Sequence, residues 1–212
     1  VALGELLFDF TTQATDPDGY PTMAAHPGGA PANFLAAIAK YGGKAALLGK
    51  VGTDTFGKLL TVTLRKAGIE TKGLVASDEF FTTLAFVTLD ENGDREFAFA
   101  RKPGADTQLR FDELDLSIID EARVFHFGTL SLTDEPARGT TYRTVKYAKA
   151  HGKLITFDPN LRKPLWRDLG DAKEQMLWGL DHADVVKISD EEVEFLFGLS
   201  AQDGAQYILD HF

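Results

Sequence analysis

Apolar residues fall into two kinds of run along this chain. Continuous runs of strand length cover residues 2–10, 44–51, 123–127, 153–157 and 184–188. Unbroken apolar character, rather than alternation, suits a parallel sheet covered on both faces. Helical patterns lie between these runs. Pro31 stands at a first helical position and leads through residues 33–41 to a Gly42-Gly43 stop. Residues 55–67 end at Gly68, and residues 136–151 end at Gly152, both punctuated as helix C-termini are. Strand and helix alternating in this way predict an α/β fold: an open, doubly wound, mainly parallel sheet with helices on both faces. Both chain ends fall inside predicted elements, an apolar run from Val1 to Phe8 and a helix-like stretch at Phe212. A piece of a longer chain is therefore expected.

One segment departs from the alternation. Residues 82–89 and 95–101 flank Asp90-Glu91-Asn92-Gly93-Asp94, and turn formers containing Asn-Gly between strand-like runs predict a hairpin. A hairpin has no place inside a parallel sheet. Together with residues 11–25 it predicts a small β-sheet lid, built from segments of about 11–25 and 80–106 inserted into one domain that spans residues 1–212. Such a flap beside an α/β body suits exclusion of water from a transfer site. An ordinary edge extension of the main sheet is the competing reading.

Composition narrows the function classes. The 212 residues are 44% hydrophobic and 25% charged, the balance of a globular chain with a core. With 22 Lys+Arg against 32 Asp+Glu the net charge is −10, so nucleic acid and anionic lipid are expected to be repelled. Any bound phosphate must then be held by local donors. The chain has no cysteine, which excludes disulfides, thiolate metal sites and Cys nucleophiles and fits the cytoplasm. It has no run of 18 apolar residues of the kind that spans a membrane, and no visible signal peptide.

Candidate chemistry concentrates in a few stretches. In His26-Pro27-Gly28-Gly29-Ala30-Pro31-Ala32-Asn33, two glycines just before a helix let backbone amides approach a ligand at the helix N-terminus. Asn33, in the first turn, offers an amide to a polyol. A tight strand-to-helix turn is the plainer reading of Gly28 and Gly29. Asp9, at the end of the first strand-like run, sits where such sheets place ligands, or simply opens a loop. Asp158-Pro159-Asn160-Leu161-Arg162 follows a strand, and the Arg162 guanidinium suits sugar or phosphoryl oxygens or a structural ion pair. In Lys187-Ile188-Ser189-Asp190-Glu191-Glu192, the Ser-x-x-Glu spacing is a helix capping box, and Glu192 could also reach a metal through water. The five histidines show no metal-ligand spacing and are expected to be packing or surface residues. Ser131 lacks the Gly-x-Ser-x-Gly setting of a hydrolase nucleophile.

Taken in order, Gly4-Glu5-Leu6-Leu7-Phe8-Asp9-Phe10, Gly28-Gly29-Ala30-Pro31-Ala32-Asn33 and Gly49-Lys50-Val51-Gly52-Thr53-Asp54-Thr55-Phe56-Gly57 resemble the N-terminal signature of the PfkB/ribokinase-type carbohydrate kinases. Asp158–Arg162 and Phe127-Gly128-Thr129-Leu130-Ser131-Leu132 are similar to the fructokinase members, bacterial ones in particular. The resemblance implies a ribokinase-like fold and transfer of a phosphoryl group from ATP, with Mg²⁺ and possible dependence on a monovalent cation. The implied acceptor is a small sugar, D-fructose at O6 first and 2-keto-3-deoxygluconate second. A sugar-binding homologue without catalysis is the alternative of another class. The resemblance puts Asp9, Gly28, Gly29, Asn33, Arg101, Asp106 and Arg162 on the sugar. It puts Lys187 and Ser189, the latter where the family has Asn, at the nucleotide, and Glu192 near the metal. Independently of the resemblance, an exposed small sheet invites pairing, so a homodimer through the lid is expected. The family's catalytic Asp lies in a C-terminal Gly-Ala-Gly-Asp run that does not occur in these residues. It is expected beyond Phe212 with the nucleotide-binding portion, which would leave these 212 residues inactive alone.

Overall fold

The apolar run at residues 2–10 does not continue as one strand. The computed structural model, which describes residues 1–89 and 95–212, breaks it at Gly4 into β1 (Ala2–Leu3) and β2 (Leu7–Thr15), which belong to different sheets. The chain returns through β3 (Pro21–Gly28) into α1 (Ala30–Lys40), then continues as β4 (Ala45–Gly52), α2 (Thr55–Lys66), β5 (Ile69–Glu70) and β6 (Leu74–Ser77). Next come β7 (Leu84–Leu89) and β8 (Arg95–Ala100), a short helix α3 (Ser117–Asp120), and β9 (Val124–Gly128). The remainder is α4 (Ala137–Ala150), β10 (Leu154–Asp158), α5 (Leu169–His182), β11 (Val185–Val186), α6 (Asp190–Phe197) and α7 (Ala201–His211).

The main sheet runs β11-β10-β9-β1-β4-β5, with β6 also paired to β4, and its strand pairs are all parallel. Alternate strand residues feed two separate cores, as a pleated strand covered on both faces must. Ala2 and Leu47 pack with Leu35 of α1 and Leu60 and Leu64 of α2. Leu3 and Leu48 join Phe125, Phe127 and Phe157 beneath Val145 of α4 and Met176 of α5. The Phe127 and Phe157 rings lie 4.7 Å apart. Helices therefore cover both faces, as the alternation predicted. β11 falls within the run predicted at residues 184–188, whereas two-residue β5 leaves almost no apolar run to read, and α5, which begins at an Asp168 cap after a Pro- and Trp-containing stretch, escaped prediction.

Strand order reverses around β1: the chain proceeds from β1 to β4 on one side and later enters β9 on the other. The crevice outside the carboxyl ends of β1 and β9 is thus a topological switch point, where open α/β sheets receive ligands. The second sheet, ordered β3-β2-β7-β8, stands over this crevice. It is mixed, with β2 and β7 parallel and the outer pairs antiparallel. The sheet draws on more of the early chain than residues 11–25, because Leu7 to Phe10 already pair with Gly28 to Ala25. The predicted Asp90–Asp94 turn lies outside the described residues, and β7 and β8 on either side of it pair from Leu84↔Ala100 to Leu89↔Arg95. No helix among the described residues is long and apolar enough to cross a membrane.

Asp54 ties the two sheets together at one corner. One carboxylate oxygen caps α2, accepting from the Phe56 and Gly57 amides at 2.9 and 3.0 Å. The other accepts from the amide and hydroxyl of Thr82, two residues before β7, at 2.8 and 2.9 Å. Burial opposes its charge, but the bonds from Thr82 and the cap hold its carboxyl below the usual range. Asp54→Ala removes a cap and strands the Thr82 amide, so a loss of about 2–4 kcal/mol in urea unfolding is expected.

Candidate functional site

The crevice has a volume of about 1040 Å³. Its floor is the carboxyl edge of the main sheet, one wall is the start of α1, and the small sheet forms the roof. Asp9 enters from the roof. It is not at a carboxyl end of the main sheet, as the sequence suggested, but inside β2, opposite His26 of β3 and beside Ala85 of β7. Its carboxyl is raised from the ordinary range by burial, against the pull of Arg162 and then His26. Gly28 makes room for it, since a Cβ there would collide with Asp9 Oδ2.

Gly29 needs its missing side chain twice over. Its φ of 109° is one that L side chains rarely adopt, and a Cβ would meet the Glu5 carbonyl. The turn it makes opens α1 so that Gly29, Ala30 and Asn33 all line the crevice. The tight-turn reading and the ligand reading of the glycines thus describe one geometry. The sequence singled out neither Glu5 nor His26. Glu5 is 3% exposed, lines the crevice and accepts from the Ala30 amide at 2.7 Å. Burial pushes its carboxyl up to about 7. His26 reaches the crevice through a strand register that no spacing in the sequence reveals.

From the floor come Asp158, Asn160, Arg162 and Lys187. Asn160 sits at φ 47°, in the left-handed region that Asn tolerates better than most residues. That turn directs Arg162 into the crevice, its guanidinium 6.0 Å from the Phe97 ring centroid. Phe97 and Phe99 of β8 stack on each other and line the roof. Lys187 pairs with Asp158 at 3.2 Å and remains 69% exposed. Burial raises the Asp158 carboxyl, with Lys187 pulling the other way.

Arg101 and Asp106 are placed differently from the expectation that they face the ligand. They form a buried ion pair at 2.7 Å, with side chains only 2% and 3% exposed. Arg101 also donates to Thr133 Oγ1 and the Leu130 carbonyl, both at 2.8 Å, and Asp106 accepts from Thr83 at 2.5 Å. Having a complete set of partners inside the protein, this pair stands behind the crevice wall.

Residues 1–210 match the family described as pfkB family carbohydrate kinase. The chain belongs to that family. It is 44% identical over 203 residues to fructokinase-1 of Zea mays, covering 95% of this chain and 63% of that protein. Fructokinase of Xylella fastidiosa superposes with a TM-score of 0.91 at 33% identity, over 99% of this chain and 66% of that one. A double mutant of Vibrio cholerae O395 fructokinase, in a form with fructose, ADP and potassium ion bound, gives a TM-score of 0.84 at 32% identity, over 98% and 65% of the two chains. The chain thus spans less than two thirds of the length of such curated relatives.

Within this pfkB-family chain, the three residues expected at the nucleotide and metal divide. Lys187 faces the crevice, where an ammonium suits a phosphoryl oxygen. Ser189 and Glu192 make the capping box of α6: the serine hydroxyl accepts from the Glu192 amide, and Glu192 Oε2 accepts from the Ser189 amide at 2.9 Å. Glu192 Oε1 accepts from the Leu161 amide at 2.7 Å, which fastens the 158–162 turn to α6. No group of three His, Cys, Asp or Glu among the described residues is arranged to hold a metal. The donor set therefore does not fit a metal ligated by these residues, and the geometry supports Glu192 as a structural clasp. Glu192→Ala should lower stability by about 2–3 kcal/mol, since two part-buried amides lose their acceptor. Hydrogen exchange would report it as lost protection at the Leu161 amide, and added Mg²⁺ would not restore that protection.

Proposed function

We propose that this chain is the sugar-binding portion of an ATP-dependent kinase that phosphorylates D-fructose at O6. The supporting observation is the convergence, in one crevice at the switch point, of the Asp9 carboxylate, the Asn33 amide, the Gly29 turn and the Arg162 guanidinium beneath an aromatic roof. A carboxylate that accepts from two hydroxyls, facing amide and guanidinium donors, is chemistry for a polyol. The names carried by the similar proteins favour fructose within that class.

ATP supplies the phosphoryl group, and a divalent ion, Mg²⁺ in our reading, neutralises its phosphate charge. The chain's own residues bind and orient the acceptor. Asp9 takes sugar hydroxyl protons as hydrogen bonds, Asn33 and the α1 amides fix the opposite edge, and Arg162 and Lys187 face the side from which phosphate charge arrives. Phe97 and Phe99 keep water off the acceptor, which matters because water is a competing nucleophile. The acceptor proton leaves for a general base that we place outside these 212 residues, together with most of the nucleotide site. These residues alone should then give no turnover. We also place the reaction in the cytoplasm, where its donor is made. A homodimer joined through the small sheet is favoured by its outer strands β3 and β8, each of which pairs on one side only among the described residues.

2-Keto-3-deoxygluconate fits less well. Its carboxylate would call on Arg101 as well as Arg162, and Arg101 is held in the buried pair with Asp106.

The test is ADP release from MgATP by the full-length protein, offered fructose, 2-keto-3-deoxygluconate, ribose and adenosine. Preference for fructose is expected, and turnover only with another acceptor would overturn the assignment. No turnover with any of them, alongside retained fructose binding, would favour a sugar-binding homologue. Asp9→Ala should raise the KM for fructose about 10- to 150-fold, the equivalent of one or more hydrogen bonds to a charged group at about 1.5–3 kcal/mol.

A further inference from the structure

The turn that shapes the sugar site is held from behind by an acid with no part in the chemistry above. Glu5 lies in the passage between β1 and β2, almost wholly buried, with Oε1 2.7 Å from the Ala30 amide. Its backbone carbonyl fills the space a Gly29 side chain would take. One residue thus fixes both sides of the Gly29–Ala30 step, through its carbonyl and its carboxyl. Buried acids are costly and persist where hydrogen bonding or function retains them. Arg101 and Asp106, at the root of the small sheet, act on Glu5 with opposite signs. His126 from β9 and Asp158 from β10 line the same crevice, and Asp9 and His26 face it from β2 and β3.

We infer that Glu5 is a positioning residue for the acceptor: its carboxylate holds the Ala30 amide, and so the Gly28-Gly29 turn, in the shape that receives the sugar. This rests on the sugar-kinase reading above. An ionised Glu5 is the stronger acceptor and also complements the positive end of α1. Its carboxyl, pushed up to about 7, changes charge near neutrality, so sugar affinity should rise with pH across that region. Glu5→Gln keeps the shape and one acceptor oxygen but cannot ionise.

The experiment measures fructose binding to the full-length protein by calorimetry from pH 6 to 8.5, for wild type and Glu5→Gln, with thermal melting to confirm that both are folded. Wild-type affinity should rise about five- to tenfold over that range. The variant should stay near the wild-type pH 6 value throughout, and the KM for ATP should be unchanged. Two parallel pH profiles would overturn the inference while leaving the sugar-kinase reading intact. So would a Glu5→Gln variant that binds fructose as tightly as wild type at pH 8.5. Should Glu5→Gln fail to fold, Glu5→Asp serves in its place. Its shorter carboxylate still titrates but reaches the Ala30 amide poorly, so weaker fructose binding at pH 8.5 is expected and undiminished binding overturns the role. Absence of fructose binding by the wild type would defeat the sugar-kinase reading itself, and this role with it.

Discussion

The small sheet and the main sheet share a crevice only because their junction is fixed, and the buried Arg101–Asp106 pair fixes it. Arg101 directly follows β8, and Thr83, which donates to Asp106, directly precedes β7. Both ends of the roof hairpin thus meet one carboxylate. The guanidinium turns its remaining donors to Thr133 and Leu130, in the segment that follows β9. Removing two charges from water is expensive, and only a full set of partners offsets it. Here the set is full, so the pair has one arrangement and the roof one root.

The position of that pair also explains why sequence reading misplaced it. Arg101 ends an alternating strand that faces the crevice, and an arginine in such a place reads as a ligand contact. Whether a guanidinium turns toward solvent or back into the protein depends on what lies behind it. Asp106 lies on one segment and Thr133 and the Leu130 carbonyl on another, and no spacing encodes their meeting. His26 is the opposite case. It carries no ligand-like spacing, yet pairing with β2 puts it opposite Asp9 and on the crevice.

What was legible had a local physical cause. Long apolar runs declared β4, β9 and β10, and the glycine and proline punctuation declared α1, α2 and α4, because burial on both faces and helix capping each leave a mark within a few residues. Fold class followed from their alternation. The Gly28-Gly29 turn was legible for the same reason, as a backbone requirement written in residue type. The division of residues 2–10 between two sheets left a weaker mark. Apolar character resumes on both sides of Glu5 in the passage, since Leu6 enters one core and Leu7 lines the crevice. Glu5 and Asp9 were the two charged residues in that run. A charged residue inside an otherwise apolar stretch of a covered sheet is a sequence signal that something must satisfy it.

Charge in the crevice follows a local logic that the net balance of −10 does not express. Both exposed-side cations are set against acids that the protein half-buries: Lys187 against Asp158 by direct contact, and Arg162 against Asp9 through the field. Burial lifts the pKa of each acid and the cation opposes that lift, so the pairs are poised rather than locked. On the proposed function, a polyol would engage Asp9 without displacing a direct ion pair, since Arg162 acts on Asp9 only through the field. A tight buried pair, such as Arg101 makes with Asp106 Oδ2, would hold either residue out of reach of a ligand. The protein uses the same two residue types for both purposes, and depth of burial decides which pair is structural and which is open to a ligand.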